Sequence, residues 1–525
     1  MDFTHDVIIV GGGPVGMGLA IDLGQRGHSV GLVERTRELH HVPKGQNLTQ
    51  RSLENIDSWG CEPEMRAARL MPPGVANGGL VTYGTLLSDY AYDWLPRESV
   101  GAFYGQTPDR MPQYRTEAVL RARAEALAAI DIRHGWSFDG FEQDTAGVTV
   151  TVSQVDPEGS AVLRGRYLVG CDGSRSRVRD AAGIPQTLTA HDRKMVLLVF
   201  RSTELDRLLT ERYGMRSFYN ALVPELNGYW RFLGRVDGEG EWFYHAPVPE
   251  STDETSDFAA MLHAAVGRPF DLDVSYVGFW DLRFALADRY RAGRVLIAGD
   301  ACHSHPPYGG YGVNSGFEDA RNLGWKLAAT LEGWAGDSLL DSYDAERRPV
   351  FASTSRDFIQ RFIEEDRAFL AAYRPETDAA QFAKKWAARN AGATEVLAFE
   401  PNYAGSPIIG GTGSPSARGD HRFEARAGHH LAPRALSDGR STYQALGSGF
   451  TLFDFTGENA AAGFTTAAAK RNVRLDVVSD SFAGERGDYL APLILVRPDG
   501  FVAWCGDGSG NAGEPETILD RAIGA

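Results

Sequence analysis

The sequence predicts an α/β protein with a parallel-sheet domain, a domain built on a largely antiparallel sheet, and a small α/β domain at its C-terminal end. Residues 6–34 read as strand, helix and strand with short connections, which is typical of a parallel sheet. Residues 184–284 are rich in β-branched and aromatic side chains, which favours antiparallel strands. Strand-like runs between residues 450 and 504 follow a stretch at 400–427 whose Gly, Pro and Ser residues predict a linker.

Length, charge and cysteine content narrow the class of protein. A chain of 525 residues is long enough for two or three domains and a large buried ligand. Its formal net charge of −16 argues against nucleic acid and anionic membranes as partners. The 4 cysteines form no C-x-x-C pair and lack metal-ligand spacing, and no apolar run approaches the length of a membrane span. We therefore expect a cytoplasmic protein with free thiols and no bound metal.

A glycine pattern follows the first predicted strand and opens the first helix. Gly11 permits a tight turn, Gly13 lets the backbone approach a pyrophosphate, and Gly16 lets the helix pack close to the sheet. Glu34 ends the second strand, where its carboxylate can accept hydrogen bonds from a ribose. The pattern predicts a Rossmann-type dinucleotide site but does not separate FAD from NAD. Its predicted contact residues are Gly11, Gly13, Pro14, Val15, Gly16, Glu34 and Arg35.

Two further motifs resemble a known family. Residues 170–176, GCDGSRS, resemble the D-G segment of the class A flavoprotein monooxygenases, and residues 299–314, GDACHSHPPYGGYGVN, resemble the flavin segment of that family. Residues 51–54, RSLE, resemble its R-T-L-E helix. The resemblance covers roughly residues 5–390 and implies the fold of 4-hydroxybenzoate hydroxylase and its relatives. The C-terminal region resembles the thioredoxin-like tail of the phenol hydroxylase branch.

The resemblance implies bound FAD and further contact residues. These are Lys44, Gln46, Gln113, Asp172, Asp300, Pro307, Gly310, Gly312, Val313 and Asn314. Asp300 ends a predicted strand, where a carboxylate can accept hydrogen bonds from ribityl hydroxyls. The N–H groups near Val313 and Asn314 begin a helix and can stabilise negative charge on reduced flavin. Lys44 and Gln46 depart from the P-R-A-G of many relatives, and Gln46 stands where some phenol-hydroxylating relatives place an acid, which argues against a general base there.

The resemblance also implies the reaction. NADPH or NADH reduces FAD, reduced flavin traps O₂ as a C4a-hydroperoxide, and that species hydroxylates an aromatic, phenolic small molecule. The candidates for substrate contact are Trp230, Trp242, Tyr308 and Tyr311. The candidates for a general base are His245, His305, Tyr244 and Tyr219, among which the sequence does not choose. The same motifs fit Baeyer–Villiger or epoxidising oxygenases and a non-catalytic flavin-binding protein, while the glycine pattern alone also fits an NAD-dependent dehydrogenase.

These observations define an expected domain plan. Residues 1–180 and 285–395 form a Rossmann-type FAD-binding domain, and residues 181–284, with contributions from about 70–110, form a substrate-binding sheet domain. Residues 420–525 form the thioredoxin-like domain, in which Cys505 stands without a second cysteine in C-x-x-C spacing. A dithiol redox role is therefore excluded, and a role in packing or in a homodimer is expected.

Overall fold

The computed structural model describes residues 3–75, 78–154, 156–389, 394–457, 460–507 and 514–525. Among these residues the α-helices are α1 (Pro14–Gln25), α2 (Gln50–Ser58), α3 (Glu62–Ala67), α4 (Gln113–Glu125), α5 (Arg177–Ala181), α6 (Thr203–Tyr213), α7 (Phe258–Val266), α8 (Tyr311–Glu332), α9 (Asp337–Ser353), α10 (Arg361–Ala372), α11 (Ala379–Arg389), α12 (Thr394–Ala398), α13 (Ala461–Lys470) and α14 (Glu514–Ala522). No described helix is both long enough and apolar enough to cross a lipid bilayer.

The strands form two large sheets, one four-stranded sheet and two small ones, which confirms the predicted α/β class. The strands of the first 300 residues are β1 (His5–Val10), β2 (Val30–Glu34), β3 (Asn47–Leu48), β4 (Gly79–Tyr83), β5 (Ala91–Trp94), β6 (Asp109–Arg110), β7 (Ile130–His134), β8 (Trp136–Gln143), β9 (Val148–Gln154), β10 (Gly159–Gly170), β11 (Gln186–Arg201), β12 (Phe218–Leu222), β13 (Trp230–Arg235), β14 (Glu241–Val248), β15 (Asp273–Ala287), β16 (Arg291–Ala292) and β17 (Val295–Ile297). The later strands are β18 (His303–Ser304), β19 (Phe399–Asn402), β20 (Ser416–Arg418), β21 (Phe450–Asp454), β22 (Leu475–Ser479), β23 (Leu493–Val496) and β24 (Val502–Gly506).

The first sheet brings the sequence motifs together. Its order is β16-β17-β10-β1-β2-β7, and β9 and β8 continue from β10. The strands β17, β10, β1, β2 and β7 run parallel, so their carboxyl ends meet at one edge. In register, Val10 of β1 pairs with Gly170 of β10 and Val33 of β2, and Gly170 pairs with Ile297 of β17. The glycine pattern, the D-G segment and the G-D-A segment therefore leave the sheet side by side.

The second sheet has two buried faces. Its order is β18-β15-β11-β14-β13-β12-β4-β5, antiparallel throughout except where β12 pairs with β4. One face packs against the apolar sides of α6 and α7 in a core cluster that contains Val196, Leu205 and Leu262. The other face looks toward the carboxyl edge of the first sheet. Side chains that alternate along these strands therefore enter two different environments.

The C-terminal region forms a four-stranded sheet in the order β22-β21-β23-β24, with α13 and α14 beside it. The predicted linker at 400–427 is more ordered than its composition indicates, because β19 pairs with β20 and Tyr403, Ile408 and Ile409 are buried. The Tyr403 ring packs 4.3 Å from that of Phe501, in the C-terminal region. The Gly and Pro residues make turns, while the few large apolar side chains between them pack into the core.

A buried carboxylate links α2 to the C-terminal region. Glu54 accepts hydrogen bonds from Arg51 at 2.7 Å and from the Gly105 N–H at 2.6 Å, and it lies 3.0 Å from His430 Nε2. Burial alone would raise the pKa of Glu54, but the charges of His430 and Arg51 outweigh it and hold the pKa at about 2. The ionised carboxylate therefore stabilises the fold fully above about pH 4.5, and that stabilisation is lost as the pH falls toward about 2.

Acidification is therefore expected to destabilise the wild-type protein more than the Glu54→Gln variant. The measurement is the free energy of unfolding in urea at neutral pH and at several values below pH 4.5. The Glu211→Gln control removes an exposed carboxylate, paired with Arg207 at 3.1 Å on α6, and should keep the wild-type acid dependence. If the free energy of unfolding falls equally with pH in wild type and in Glu54→Gln, the low pKa assigned to Glu54 is wrong.

Candidate functional site

A cavity of about 990 Å³ lies between the carboxyl edge of the first sheet and the inner face of the second. Most of the cofactor contacts expected from the sequence line it. These are Gly11, Gly13, Pro14, Val15, Glu34, Arg35, Lys44, Gln46, Gln113, Asp172, Asp300, Pro307, Gly310, Gly312 and Val313. Gly16 and Asn314 stand behind this wall. In the part of the chain that the structure describes, no cluster of three His, Cys, Asp or Glu side chains is arranged to hold a metal ion.

The nucleotide end of the cavity depends on three glycines. Gly11 has a φ of 106°, and a Cβ atom there would lie 2.3 Å from the carbonyl oxygen of Cys171. A Cβ on Gly16 would lie 1.9 Å from the carbonyl oxygen of Gly11, so Gly16 sets how closely α1 approaches the sheet. A Cβ on Gly13 meets no atom within 4 Å, because Gly13 borders open space at the N-terminus of α1. Free N–H groups and open space together suit a pyrophosphate.

The acidic residue of the glycine pattern is held in place by its own loop. Glu34 Oε2 accepts a hydrogen bond from the Gly12 N–H at 2.7 Å, and Oε1 accepts one from the Thr36 N–H at 2.7 Å. The carboxylate therefore keeps a fixed orientation at the cavity wall. Oε1 accepts a second hydrogen bond from the Thr36 hydroxyl at 2.5 Å, so Oε2 is the oxygen that keeps a lone pair for a ribose hydroxyl.

The flavin end is built on the turn before α8. Gly309 and Gly310 have φ values of 65° and 71°, and a Cβ on Gly310 would lie 2.9 Å from Asn47 Nδ2. A Cβ on Gly312 would meet no atom within 4 Å, so the first turn of α8 faces open cavity. Asn314 does not line the cavity, because its side chain donates to the carbonyl oxygen of Asn47 at 2.9 Å and accepts from the Thr49 N–H at 2.9 Å. It fixes the start of α8 against the chain before α2.

Two expected cofactor contacts already have protein partners. Gln113 Oε1 accepts from the Gly45 N–H at 3.0 Å, and its Nε2 donates to Glu117 at 2.7 Å. Asp172 accepts hydrogen bonds from the N–H groups of Arg177 and Val178, the first two of α5, at 2.8 and 3.1 Å, while Ser176 is the N-cap of that helix. Both residues line the cavity, but their side chains primarily shape its wall.

Asp300 and Gln46 are polar residues that line the cavity. The Asp300 side chain lies deep in the protein but stays accessible because it faces the cavity, and burial raises the pKa of its carboxyl against the charges of His303 and Lys44. Gln46 is 5% exposed, and neither end of its amide has a hydrogen-bond partner among the residues that the structure describes. An unsatisfied buried amide is unfavourable unless a ligand completes its hydrogen bonds. The donor set therefore fits a flavin ring with its ribityl chain and pyrophosphate.

A buried ionic cluster supports the G-D-A turn. Asp319 on α8 accepts hydrogen bonds from the Gly299 N–H at 3.0 Å, from His303 Nε2 at 2.6 Å and from Arg347 Nε at 2.7 Å. Burial would raise the pKa of Asp319, but the charges of His303 and Arg347 outweigh it and lower the pKa. Asp319 thereby fixes the loop that carries Asp300.

The candidate substrate residues of the second sheet lie on two different faces of that sheet. Phe243 and His245 of β14 line the cavity, whereas Trp242 and Tyr244 pack on the other face against α6 and α7. Tyr219 of β12 also lies on that outer face. The interpretations of Trp242 as a substrate contact and of Tyr244 and Tyr219 as bases are therefore corrected, because side chains alternate along a strand.

Trp230 and Tyr308 line a second cavity of about 390 Å³ rather than the first. Trp94, Leu95 and Asn220 line both cavities and so form the partition between them. The expected substrate contacts Trp230 and Tyr308 are thus corrected to a neighbouring chamber, where their rings pack 4.5 Å apart.

Three cavity-lining residues bear on proton transfer. Tyr311 lines the main cavity and donates a hydrogen bond to Glu395 at 2.8 Å. Burial lowers the pKa of both His245 and His305 to about 4, so both imidazoles are neutral at neutral pH. His305 Nδ1 lies 2.6 Å from the Pro306 carbonyl oxygen, whereas His245 Nδ1 has no hydrogen-bond partner among the described residues. A neutral His245 can accept or donate a hydrogen bond but is a weak base.

Sequence reasoning missed several residues of the substrate end. Arg110, Phe218, Asn220 and Phe232 line the main cavity, and they come from segments on which no motif falls. Counting alternate positions outward from His245 would have selected Phe243. The other residues could be identified only once the pairing between strands was known.

Comparison with known proteins agrees with this geometry. The family described as "FAD binding domain" matches residues 4–357, and "Aromatic-ring hydroxylase, C-terminal" matches residues 424–525. The chain is 31% identical to a putative polyketide hydroxylase of Streptomyces halstedii, over 98% of this chain and 96% of that protein. It is 32% identical to rifampicin monooxygenase of Streptomyces venezuelae, with 96% of each chain covered.

Solved structures agree as well. The rebeccamycin biosynthetic enzyme RebC with reduced flavin superimposes with a TM-score of 0.85 at 30% identity, and 100% of both chains is covered. The flavin-dependent monooxygenase PieE in complex with FAD and substrate also gives a TM-score of 0.85, at 26% identity over 99% of each chain. These findings confirm the expected fold class, cofactor and reaction class. The chain therefore belongs to the FAD-dependent aromatic-ring hydroxylases and is a monooxygenase that acts with FAD on an aromatic compound.

Proposed function

We propose that the substrate is a flat polycyclic phenol or hydroxyquinone of the polyketide type, hydroxylated with O₂ and NADPH or NADH. One observation carries this proposal: a single cavity of about 990 Å³ joins the nucleotide edge to a broad aromatic wall. The rings of that wall are Trp94, Phe218, Phe232, Phe243, Tyr276 and Trp280. Extended aromatic walls favour a flat fused-ring ligand over a small single ring. Relatives named polyketide hydroxylase support the same substrate class.

The cofactor residues have distinct tasks in this proposal. The N-terminus of α1, at Gly13, holds the pyrophosphate, and Glu34 binds the adenosine ribose. Asp300 binds the ribityl chain, and the first N–H groups of α8, near Gly312 and Val313, hold negative charge at the reduced ring. When bound, FAD would supply acceptance of a hydride from the nicotinamide and activation of O₂, chemistry that places one oxygen atom on the substrate ring and releases the other as water.

The substrate end orients the ring and keeps water away. His245 Nδ1 and Asn220 Oδ1 are buried and have no hydrogen-bond partner within the described ranges, and both residues line the cavity. They suit hydrogen bonds to substrate hydroxyl groups. The aromatic wall and Pro307 exclude water from the reacting ring. Because His245 is neutral and weakly basic, its role in the proposal is to orient the hydroxyl.

The domain plan belongs to the same proposal. Residues 1–180 and 285–395 bind FAD, residues 181–284 with about 70–110 bind substrate, and residues 420–525 pack against the FAD-binding helices. The polar contacts between Glu54 and His430 support the packing role. Homodimer assembly remains a prediction, which light scattering of the purified holoenzyme tests.

Substrate-stimulated oxidation of NADPH and NADH by the purified holoenzyme tests the proposed function. The panel contains emodin and juglone as fused-ring phenols, phenol as a single ring, and a cyclic ketone. We expect the fused-ring phenols to stimulate oxidation and to gain one oxygen atom from labelled O₂, at a position read by NMR. The His245→Ala variant should raise KM for the active compound about tenfold, whereas Tyr244→Phe, one residue away on the outer face, should leave it unchanged.

Each other outcome has a clear meaning. A yellow protein whose NAD(P)H oxidation no aromatic compound stimulates would contradict the proposed substrate class. If oxygen is inserted into the ketone ring, the reaction is a Baeyer–Villiger oxidation and not a hydroxylation. If the product is an epoxide, the reaction is an epoxidation. Preference for phenol over the fused rings would refute the polycyclic substrate.

A further inference from the structure

Arg110 reaches the cavity from a short strand outside the motifs. It belongs to β6, which pairs with β3 in the register Asn47↔Arg110. Its side chain is 1% exposed and lines the main cavity. The guanidinium carbon lies 5.6 Å from the centre of the Phe218 ring and 5.7 Å from that of Phe243, both of which belong to the aromatic wall. The charge therefore lies beside the proposed substrate ring.

The protein supplies this cation with neutral partners. Nη1 donates to Asn47 Oδ1 at 2.6 Å, and Nη2 donates to the carbonyl oxygen of Arg235 at 3.3 Å. Nε has no hydrogen-bond partner in the described part of the chain. Within the described residues, no carboxylate oxygen lies within 4.0 Å of this guanidinium. Arg347 and Arg497 are buried to the same degree, and each forms an ion pair with a carboxylate. Arg97, which is 7% exposed, also forms no ion pair among the described residues, but it donates to the Gly309 carbonyl oxygen and does not line the main cavity. Arg110 therefore combines a buried, unpaired charge with a position on the cavity wall.

A buried unpaired cation is unfavourable, so its position needs a physical reason. Burial, with a smaller effect from the charge of Arg97, lowers the pKa of Arg110 to about 9, which leaves it charged at neutral pH. An anion in the cavity would supply the missing countercharge. The donor at Nε is also free to complete a two-pronged contact with a carboxylate or with adjacent oxygens.

We propose that Arg110 receives an anionic oxygen of the aromatic substrate, a carboxylate or an ionised hydroxyl, and so selects acidic ring systems over neutral ones. This inference rests on the proposed function, because it takes the aromatic wall as the place of the ring. In the complex, Phe218 and Phe243 flank the substrate edge, and the guanidinium binds its anionic oxygen. Asn220, on the same wall, carries an unpartnered Oδ1 that can accept a neighbouring hydroxyl.

Matched acid and neutral ligands test this assignment by equilibrium dialysis against the FAD-loaded protein. Rhein and its methyl ester form the carboxylate pair, and lawsone and its methyl ether form the ionised-hydroxyl pair. We expect wild type to bind the acid at least about tenfold more tightly in one pair, and that pair identifies the anionic group. Arg110→Met should abolish the preference, and Arg110→Lys, which keeps charge without the planar fork, should retain a reduced preference.

The control is Arg231→Met. Arg231 precedes Phe232 on β13 and so lies on the opposite face from the cavity-lining ring, and its loss should leave the preference unchanged. Equal affinity of wild type for acid and neutral ligands in both pairs overturns the inference, as does an unchanged preference in Arg110→Met. If Arg110→Met fails to retain FAD, the Arg110→Lys variant provides the test. A preference for acidic ligands equal to that of wild type then refutes the proposed role of Arg110.

Failure of the proposed function gives a different result. The dialysis measures binding without turnover, so an acid preference that depends on Arg110 can be observed even if no ligand stimulates NAD(P)H oxidation. Conversely, stimulated oxidation of acidic and neutral rings with equal KM would keep the hydroxylase activity and eliminate only the role of Arg110.

Discussion

Replacing Gly16 with alanine is expected to yield a protein that retains little or no FAD and unfolds at a lower temperature than wild type. The new Cβ would lie 1.9 Å from the carbonyl oxygen of Gly11 and 3.2 Å from Cys171 Cβ. The first contact is with backbone and cannot be relieved by turning a side chain. Helix α1 would have to move away from the sheet, which takes its N-terminus away from the proposed pyrophosphate site. Overpacking of this kind costs about 1–3 kcal/mol, and 3 kcal/mol of lost binding is about a 100-fold rise in Kd.

Two other glycine substitutions separate folding from binding. A Cβ on Gly13 meets no protein atom within 4 Å, so Gly13→Ala should leave the thermal stability of the apoprotein unchanged and still weaken FAD binding. Gly140 in β8 of the same sheet is equally open and does not line the main cavity, so Gly140→Ala should change neither property. The measurements are the FAD-to-protein absorbance ratio and the unfolding temperature of each apoprotein. Full FAD occupancy in Gly16→Ala would show that the nucleotide does not bind at α1.

The cofactor end could be predicted from sequence because each motif follows a parallel strand. Parallel strands present their carboxyl ends at one edge, so motifs after β1, β10 and β17 must meet whatever their separation in the chain. The glycine spacings then identify the ligand at that edge.

The substrate end could not be predicted in the same way. Both faces of the second sheet are buried, one by α6 and α7 and the other by the cavity wall, so apolar character does not reveal which face meets the ligand. Trp242 and Tyr244 are as aromatic as Phe243, and only the fold separates them. Arg110 is even less visible, because its importance depends on the absence of a nearby carboxylate, which is a property of the packed structure.

A buried cluster of ion pairs connects the C-terminal region to α8 and α9. Arg497, directly after β23, donates to both oxygens of Glu346 on α9, at 2.7 and 3.0 Å, and to Asp499 at 3.0 Å through Nε. Glu346 also accepts from Lys326 on α8 at 2.7 Å. Burial would raise the pKa of Glu346, but the charges of Arg497 and Lys326 outweigh it and hold the pKa well below its usual range. All four ionic groups are buried, so their charges balance only as a set.

Arg497→Met is therefore expected to destabilise the protein by about 3–5 kcal/mol, because it leaves a net negative charge in a dry interface. Free energies of unfolding in urea measure this loss, and the control is Arg471→Met, which removes a partly exposed ion pair with Asp520 and should cost no more than about 1 kcal/mol. The double variant Arg497→Met/Glu346→Gln should lose less than the sum of its parts, since the charges are again balanced. Because α8 carries the proposed flavin contacts at its N-terminus and Lys326 in its body, FAD should dissociate from Arg497→Met at a lower temperature than from wild type. If wild type and Arg497→Met unfold and release FAD at the same temperatures, the C-terminal region does not stabilise the position of α8.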